Sequence, residues 1–449
     1  MKRSLKGFQS DGHKWRLAEL ARPWPIFVFL FSLAAASLSN VTAIKVAAAE
    51  PFQIAKGKHI VLRADTGSQE SLRELVQAFD TAVPQWADFW GLSPSVLRNW
   101  RVDACLMTDV DRFRESGDLP RDIEVPFGYA LGNDVWVRKQ SSDYYTRHLL
   151  LHEGVHALAI NLFGGTGPSW YAEGIAELLS VHQEKGTRVL INRVPRTREE
   201  VPFWGRFKLM AGRRGVGGIP TIDRVLSYPL DLKSDVESYG WSWAAAMLLT
   251  EYPEYRSGFL DAAKNGEDRT IAFTKSLRDR LRTQWPIIQA RWRLLTETLD
   301  YGFDWERERT ELSMKDPLWD GTEIASTVTA NQGWQSLGVR FAPGTRLVLR
   351  AGGRCTLADQ PKPWISEPAG ITIEYADGRP LGQLLLAKLP NATTETKQLQ
   401  PLPVGAVEGN LEIEIKQHCW LVFRINDHLG RRGDNRGGYS ITVNRSRAD

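Results

Sequence analysis

The apolar residues of this 449-residue chain change their spacing once, near residue 305, and that change limits the architectures open to it. Upstream, the spacing is mostly helical. Leu72, Leu75, Val76, Phe79, Val83 and Trp86 recur every three or four residues and predict an amphipathic helix over 71–90. A long helical pattern covers Asp143–Phe163 and is closed by Gly164 and Gly165. A second follows over 169–182, and 222–301 is helical almost throughout, with Trp and Leu on the inner face. Strands are expected at 59–64, at 101–107 and at 128–137. Downstream, residues 327–443 are rich in Val, Ile, Thr and Gly, alternate apolar with polar, and carry turn signals such as Pro343-Gly344 and Asp377-Gly378. That is the pattern of an antiparallel sandwich. The expected class is α+β: a domain of helices and a small mixed sheet over 57–305, a linker over 306–325, and an all-β sandwich over 326–449.

Charge and composition remove several functions. Lys plus Arg number 57 and Asp plus Glu 53, for a net charge of +4. Part of that excess lies in Lys2, Arg3, Lys6, Lys14, Arg16 and Arg22, so the body is near neutral and lacks the electrostatic footprint of a nucleic-acid binder. Three cysteines cannot staple a disulfide scaffold. Behind the N-terminal cations lies an apolar run of 13 residues, 26–38. A spanning helix needs about 20. Small residues follow, with cleavage points after Ala43 and Ala49. Residues 1–49 therefore read as a secretory signal peptide, the alternative being an uncleaved N-terminal anchor. The mature protein is expected to be secreted or to sit in the periplasm or cell envelope.

The chain has only 8 histidines, and three of them fall at 148, 152 and 156. His152-Glu153-Gly154-Val155-His156 is an H-E-x-x-H sequence. On a helix, positions i and i+4 share a face, so both imidazoles can reach one ion while Glu153 lies beside them. A catalytic zinc takes three protein ligands and keeps one position open. The third ligand is expected on the next helix, where Trp170-Tyr171-Ala172-Glu173-Gly174-Ile175-Ala176-Glu177 offers two carboxylates one turn apart. Glu173 would bind the ion, and Glu177 would accept a hydrogen bond from a ligating histidine and orient it. The bland alternative is a pair of helices carrying these polar residues without a metal. Tyr239 is the candidate second donor to a developing oxyanion, or else a core aromatic in a Trp-rich helix. His148, one turn before His152, either lines the cleft or is a structural histidine.

These motifs, with Gly167-Pro168-Ser169-Trp170-Tyr171-Ala172-Glu173-Gly174, resemble the gluzincin metallopeptidases, the thermolysin-like and aminopeptidase N-like group. Residues 144–153 and 167–174 more closely resemble a family of secreted planctomycete proteins of this type. The resemblance covers roughly 57–300 and implies a zincin-like fold. It implies His152, His156 and Glu173 as zinc ligands, Glu153 as general base, Glu177 as orienter and a protein or peptide substrate. The gap of 16 residues between His156 and Glu173 is slightly shorter than in aminopeptidase N. No upstream motif for holding a free substrate amino terminus accompanies it.

In the β half, Asn426-Asp427-His428-Leu429-Gly430-Arg431-Arg432-Gly433-Asp434-Asn435 gathers side-chain oxygens around a glycine-bounded loop. Calcium takes such ligands, and an Asx-turn hairpin uses the same residue types. The segment resembles the loop of the calcium-dependent galactose-binding lectin of Pseudomonas type, over about 327–445. That resemblance implies a lectin-like sandwich and calcium held by Asp427, Asp434 and Asn435, with the carbonyl of Arg431 and that of Leu357. The stretch after Trp364 has no match for the lectin's sugar-contacting His and Gln, so a glycan partner is implied without galactose specificity. On the same register Cys355 and Cys419 lie too far apart to bridge. They are expected as free buried thiols, with Cys105 in the core of a strand.

The leading expectation is an exported zinc metallopeptidase with a lectin-like accessory domain. One rival is a non-catalytic carbohydrate- or surface-binding protein on a zincin scaffold. Another is a structural envelope protein that uses both domains as interaction modules.

Overall fold

The computed structural model describes residues 51–186, 188–216, 218–229, 236–391, 399–405 and 410–446. The expected signal peptide lies outside them. From Pro51 onward the chain forms one compact unit. It is mixed α/β, with helices and several sheets.

The first sheet holds five strands. They are β1 (Gln53–Lys56), β2 (Ile60–Ala64), β3 (Val102–Met107), β4 (Gly128–Leu131) and β5 (Asp134–Arg138), in the order β1-β2-β3-β5-β4. β2, β3 and β5 run parallel, and the two outer strands are antiparallel to their neighbours. Antiparallel β4 is therefore an edge. Helix α1 (Gln69–Phe89) starts on a capping box between Ser68 and Ser71 and buries the stripe that its spacing predicts.

Helix α2 (Asp143–Phe163) starts on Ser142, whose side chain accepts from Tyr145 N, and ends on Gly164 at φ +71. A left-handed residue at that point closes the last turn, and glycine takes it without steric cost. Helix α3 (Ser169–Ser180) follows the Gly-rich turn. It ends at Ser180, two residues short of the expected end, because the chain turns into a hairpin of His182–Lys185 and Arg188–Ile191. Periodicity could not show that hairpin: its strands are four residues each, and the first, His-Gln-Glu-Lys, is polar throughout.

Three further helices matter for the site and its support: α4 (Arg206–Gly215), α5 (Val236–Glu251) and α6 (Trp285–Thr298). α5 is buried on nearly all sides, which explains its lack of a polar stripe. Its approach to α3 depends on Gly174: a Cβ there would stand 2.6 Å from Ser242 O. Gly154 of α2 is equally tight, 2.4 Å from the Phe79 ring of α1.

A short helix, α7 (Trp305–Glu308), leads into the β half. The first part of the stretch expected as a linker is packed, with Glu308, Thr310 and Leu312 all buried, while 313–323 lies nearer the surface. The strands that follow are β6 (Ile324–Thr329), β7 (Gln335–Phe341), β8 (Arg346–Gly352), β9 (Ile371–Ala376), β10 (Arg379–Leu381), β11 (Leu384–Pro390), β12 (Leu402–Val404), β13 (Leu411–Glu414), β14 (Cys419–Ile425) and β15 (Arg436–Arg445). One antiparallel sheet runs β12-β11-β14-β7 and a second contains β13-β8-β15-β6, while β9 and β10 form a separate hairpin. Cys355 and Cys419 are free and buried, as is Cys105.

Two strands depart from simple alternation, and the departure joins the halves. β14 is buried at every position and β11 at all but one. Leu384, Leu386, Leu421 and Phe423 face the sandwich core. Leu385, Ala387, Leu389, Trp420 and Val422 face the other way, onto Ile287, Ala290 and Leu294 of α6. A strand covered on both faces reads as a continuous apolar run, which Cys-Trp-Leu-Val-Phe is. Among the described residues no helix is long and apolar enough to cross a membrane.

Gly174→Ala is expected to force α3 away from the α5 backbone and to cost about 1–3 kcal/mol. The check is the urea midpoint of the full chain at unchanged slope.

Candidate metal centre

The three residues expected to bind metal meet at one point. His152 and His156 rise from one face of α2, and Glu173 comes from the first turn and a half of α3. His152 Nε2 lies 3.1 Å from Glu173 Oε2 and 3.2 Å from His156 Nε2, and the third edge, from His156 Nε2 to Glu173 Oε2, is 3.6 Å. A tetrahedral ion with bonds of about 2.0–2.2 Å sets its ligand atoms about 3.3–3.5 Å apart. The triangle therefore fits zinc in size and in donor chemistry. His156 and Glu173 keep some exposure while His152 is nearly closed off, so the open side faces solvent past those two. Burial raises the pKa of Glu173, but both histidines outweigh it and hold the carboxyl near 2.

Glu153 sits beside the triangle, itself buried. Burial pushes its carboxyl up to about 7; His156 opposes that rise and Glu173 adds to it. Edge strand β4 lies against it, since a Cβ on Gly128 would stand 2.5 Å from Glu153 Oε1. Tyr239, on the first turn of α5, brings its ring within 6.3 Å of the His152 ring. Burial raises its hydroxyl above the ordinary tyrosine range, and the carboxylates of Glu173, Glu177 and Glu153 add to the shift.

Glu177 lies one turn beyond Glu173, 3.8 Å from His152 Nδ1, which is long for a hydrogen bond. Its closer partners are residues that no sequence motif singled out. Arg206 Nη2 donates to Oε1 at 2.6 Å and Trp204 Nε1 to Oε2 at 3.0 Å. Burial alone would raise this carboxyl; Arg206 and then His148 outweigh it and hold it well below the usual range. The Arg206 guanidinium also stands 5.3 Å from the centre of the Tyr239 ring. His148 is fully buried, flanked by Tyr144 and Tyr145, with Nε2 3.5 Å from Glu177 Oε1. It does not line the cleft. His148, His152 and Glu177 also converge closely enough to hold an ion. The Arg206 cation already occupies that role at Glu177.

In the β half, Asp427 and Asn435 come together. Asp427 Oδ2 accepts from Asn435 Nδ2 at 2.9 Å, and Oδ1 accepts from His428 N at 2.7 Å. Both residues are buried, and Asn435 Oδ1 has no hydrogen-bond partner. Burial raises the Asp427 pKa. Asp434 is exposed, and the Arg431 side chain is turned to Glu374. Two of the expected oxygen donors thus share a buried site with an orphaned acceptor, which suits a cation in part.

No protein-family model matches the chain, and no curated protein does. Among solved structures it is similar to the EclA N-terminal domain, a PllA-like lectin. The identity is 21% over 28% of this chain and 98% of that one, with a TM-score of 0.22. It is also similar to the IMPa metallopeptidase in complex with T-antigen, at 12% identity and a TM-score of 0.16. A further structure of IMPa metallopeptidase from Pseudomonas aeruginosa gives 11% and 0.17. Both metallopeptidase matches cover 79% of this chain and 38% of the other. Similarity at this level assigns neither family nor activity.

Arg206→Met leaves the Glu177 charge buried without its cation and is expected to cost about 3–5 kcal/mol at neutral pH. A carboxyl held low stabilises the folded state above its ordinary pKa and loses that contribution as pH falls. The difference between wild type and variant should therefore shrink on acidification, as read from urea midpoints across the carboxylate range.

Proposed function

We propose that this chain is an exported zinc-dependent peptidase whose cleft is built on α2 and α3. The observation that carries the proposal is the His152–His156–Glu173 triangle, with a buried carboxylate beside it and an open side toward solvent. His152, His156 and Glu173 would hold the ion. Bound there, zinc supplies Lewis acidity that lowers the pKa of a water toward about 7 and polarises a carbonyl.

The remaining work falls to the chain's own side chains. Glu153, buried and with its carboxyl raised toward 7, takes a proton from the attacking water and returns it to the leaving nitrogen. The Tyr239 hydroxyl stays protonated through neutral pH and can donate to the oxyanion as charge develops. Glu177, fixed by Arg206 and Trp204, gives the His152 side of the site a rigid anionic backing. The edge of β4 beside Glu153 offers main-chain groups to an extended peptide.

Wild type and Glu153→Gln are each expected to contain one zinc. Cleavage of a mixed peptide library should fall about 10²–10⁴-fold in the variant. Equal cleavage by both would remove Glu153 from the mechanism, and absence of zinc from both would end the peptidase proposal.

For the β half we propose calcium at Asp427 and Asn435. A hundredfold excess over its dissociation constant should then stabilise the chain by about 2.7 kcal/mol. Asp427→Asn should abolish the gain in a thermal melt. No calcium response in the wild type would leave the Asx-turn alternative.

A further inference from the structure

Arg424 lies near the end of β14, and the alternation of that strand turns its side chain to the face that carries Trp420 and Val422, across from Leu385 of β11. This is the apolar face that packs on α6. The residue is only 6% exposed. Among the described residues its guanidinium makes no hydrogen bond, and its Nε is buried without a partner. Its ionic neighbours do not make up the loss. Arg424 Nη2 stands 3.8 Å from Asp377 Oδ2, and the Asp377 side chain is 77% exposed. That separation is too long for a hydrogen bond, and a hydrated carboxylate at that range contributes little. Glu308, whose charge Arg424 also feels, is already paired with Arg432, and both of those side chains are almost fully buried. Burial, and next the like charge of Arg432, pull the Arg424 pKa down to about 10 against the pull of Glu308 and Asp377. The guanidinium therefore stays charged at neutral pH. Beside it, the centre of the Trp334 ring is 4.9 Å from Arg424 Cζ. Trp334 is buried too, and its indole N–H has no hydrogen-bond partner. The same side chain lines a small cavity between α5, α6 and α7, with Arg291, Thr298 and Thr310.

We propose that Arg424 and Trp334 form a binding site for a small monovalent anion, such as chloride, at the junction of the two halves. A charge taken out of water has to be compensated by a partner of opposite sign and by hydrogen bonds. Arg424 has neither from the protein. The donors left unanswered around it, Nε of Arg424, Nε of Arg432 and Nε1 of Trp334, are all N–H groups, which is what an anion takes. Water could accept from those groups but would leave the charge of Arg424 uncompensated. A single charge suits the site, because one guanidinium lacks a buried partner. A doubly charged oxyanion would surrender more hydration than that guanidinium returns. Leu385, Val422 and Trp334 make the surroundings apolar, so a weakly hydrated ion such as chloride or bromide is favoured over fluoride. The site does not rest on metal at either proposed centre.

The test is the urea midpoint of the full chain in chloride and in gluconate, an anion too large for the site, at equal ionic strength and fixed calcium. In the wild type, each tenfold rise in chloride above its dissociation constant should raise the folded-to-unfolded ratio about tenfold at unchanged slope, and gluconate should not. Arg424→Met should lose that response. Its deficit against wild type is expected in chloride and not in gluconate, where an apolar chain replaces a charge that has no buried partner. Equal wild-type midpoints in the two salts, or the same chloride response in both proteins, would overturn the site. Trp334→Phe keeps the ring and removes the N–H. It should need several times more chloride for the same gain, and it decides the matter where Arg424→Met does not fold. A direct arm soaks crystals of the full chain in bromide. An anomalous peak beside Arg424 is expected, and bromide bound only elsewhere would overturn the inference.

Discussion

The geometry of the candidate metal centre rests on one buried charge, Glu177. A carboxylate with almost no solvent contact has to be compensated, and Arg206 and Trp204 do so from outside the two helices that carry the candidate ligands. Arg206 opens α4, so the contact ties that helix to the back of α3. The same guanidinium lies beside the Tyr239 ring on α5. One residue thus sets the relative positions of the helix that supplies Glu173, the helix that supplies Tyr239 and the anion behind His152. Glycines set the distances: Gly154 lets α1 approach α2, and Gly174 lets α5 approach α3.

The β half is bound to this frame in two physically different ways. The apolar contact is broad, made by the outward faces of β11 and β14 against α6, and contributes through area removed from water. The polar contact is narrow, made by Arg432 and Glu308, and contributes direction more than strength, since a buried pair repays its desolvation poorly. Together they explain why α7 and the residues up to Leu312 are packed. They also place Asp427 and Asn435 next to the junction, so a cation there would sit beside the loop that joins the halves.

Several features were legible in the sequence because they depend on near neighbours. Helix α2 lies over the stretch that the spacing predicted, with its cap at Ser142 and its stop at Gly164. The pairing of His152 with His156 follows from one turn of helix. The alternating pattern after residue 305 foretold antiparallel strands. The short hairpin after α3 had no local signal strong enough to register, and α4 follows a left-handed glycine at 205 with only Phe207 and Met210 as the apolar part of its buried side.

By itself the sequence determined which side chains share a face and which of the longer stretches are helix or strand, because those depend on a few consecutive residues and a fixed period. Only the tertiary structure decided that Glu177 answers chiefly to Arg206, that β4 lies over Glu153, and that the glycine-rich loop before β15 turns inward to the helical half. Each of these joins residues distant in the chain through burial. The cost of an uncompensated buried charge is set by whatever else is buried around it, and no local pattern records that.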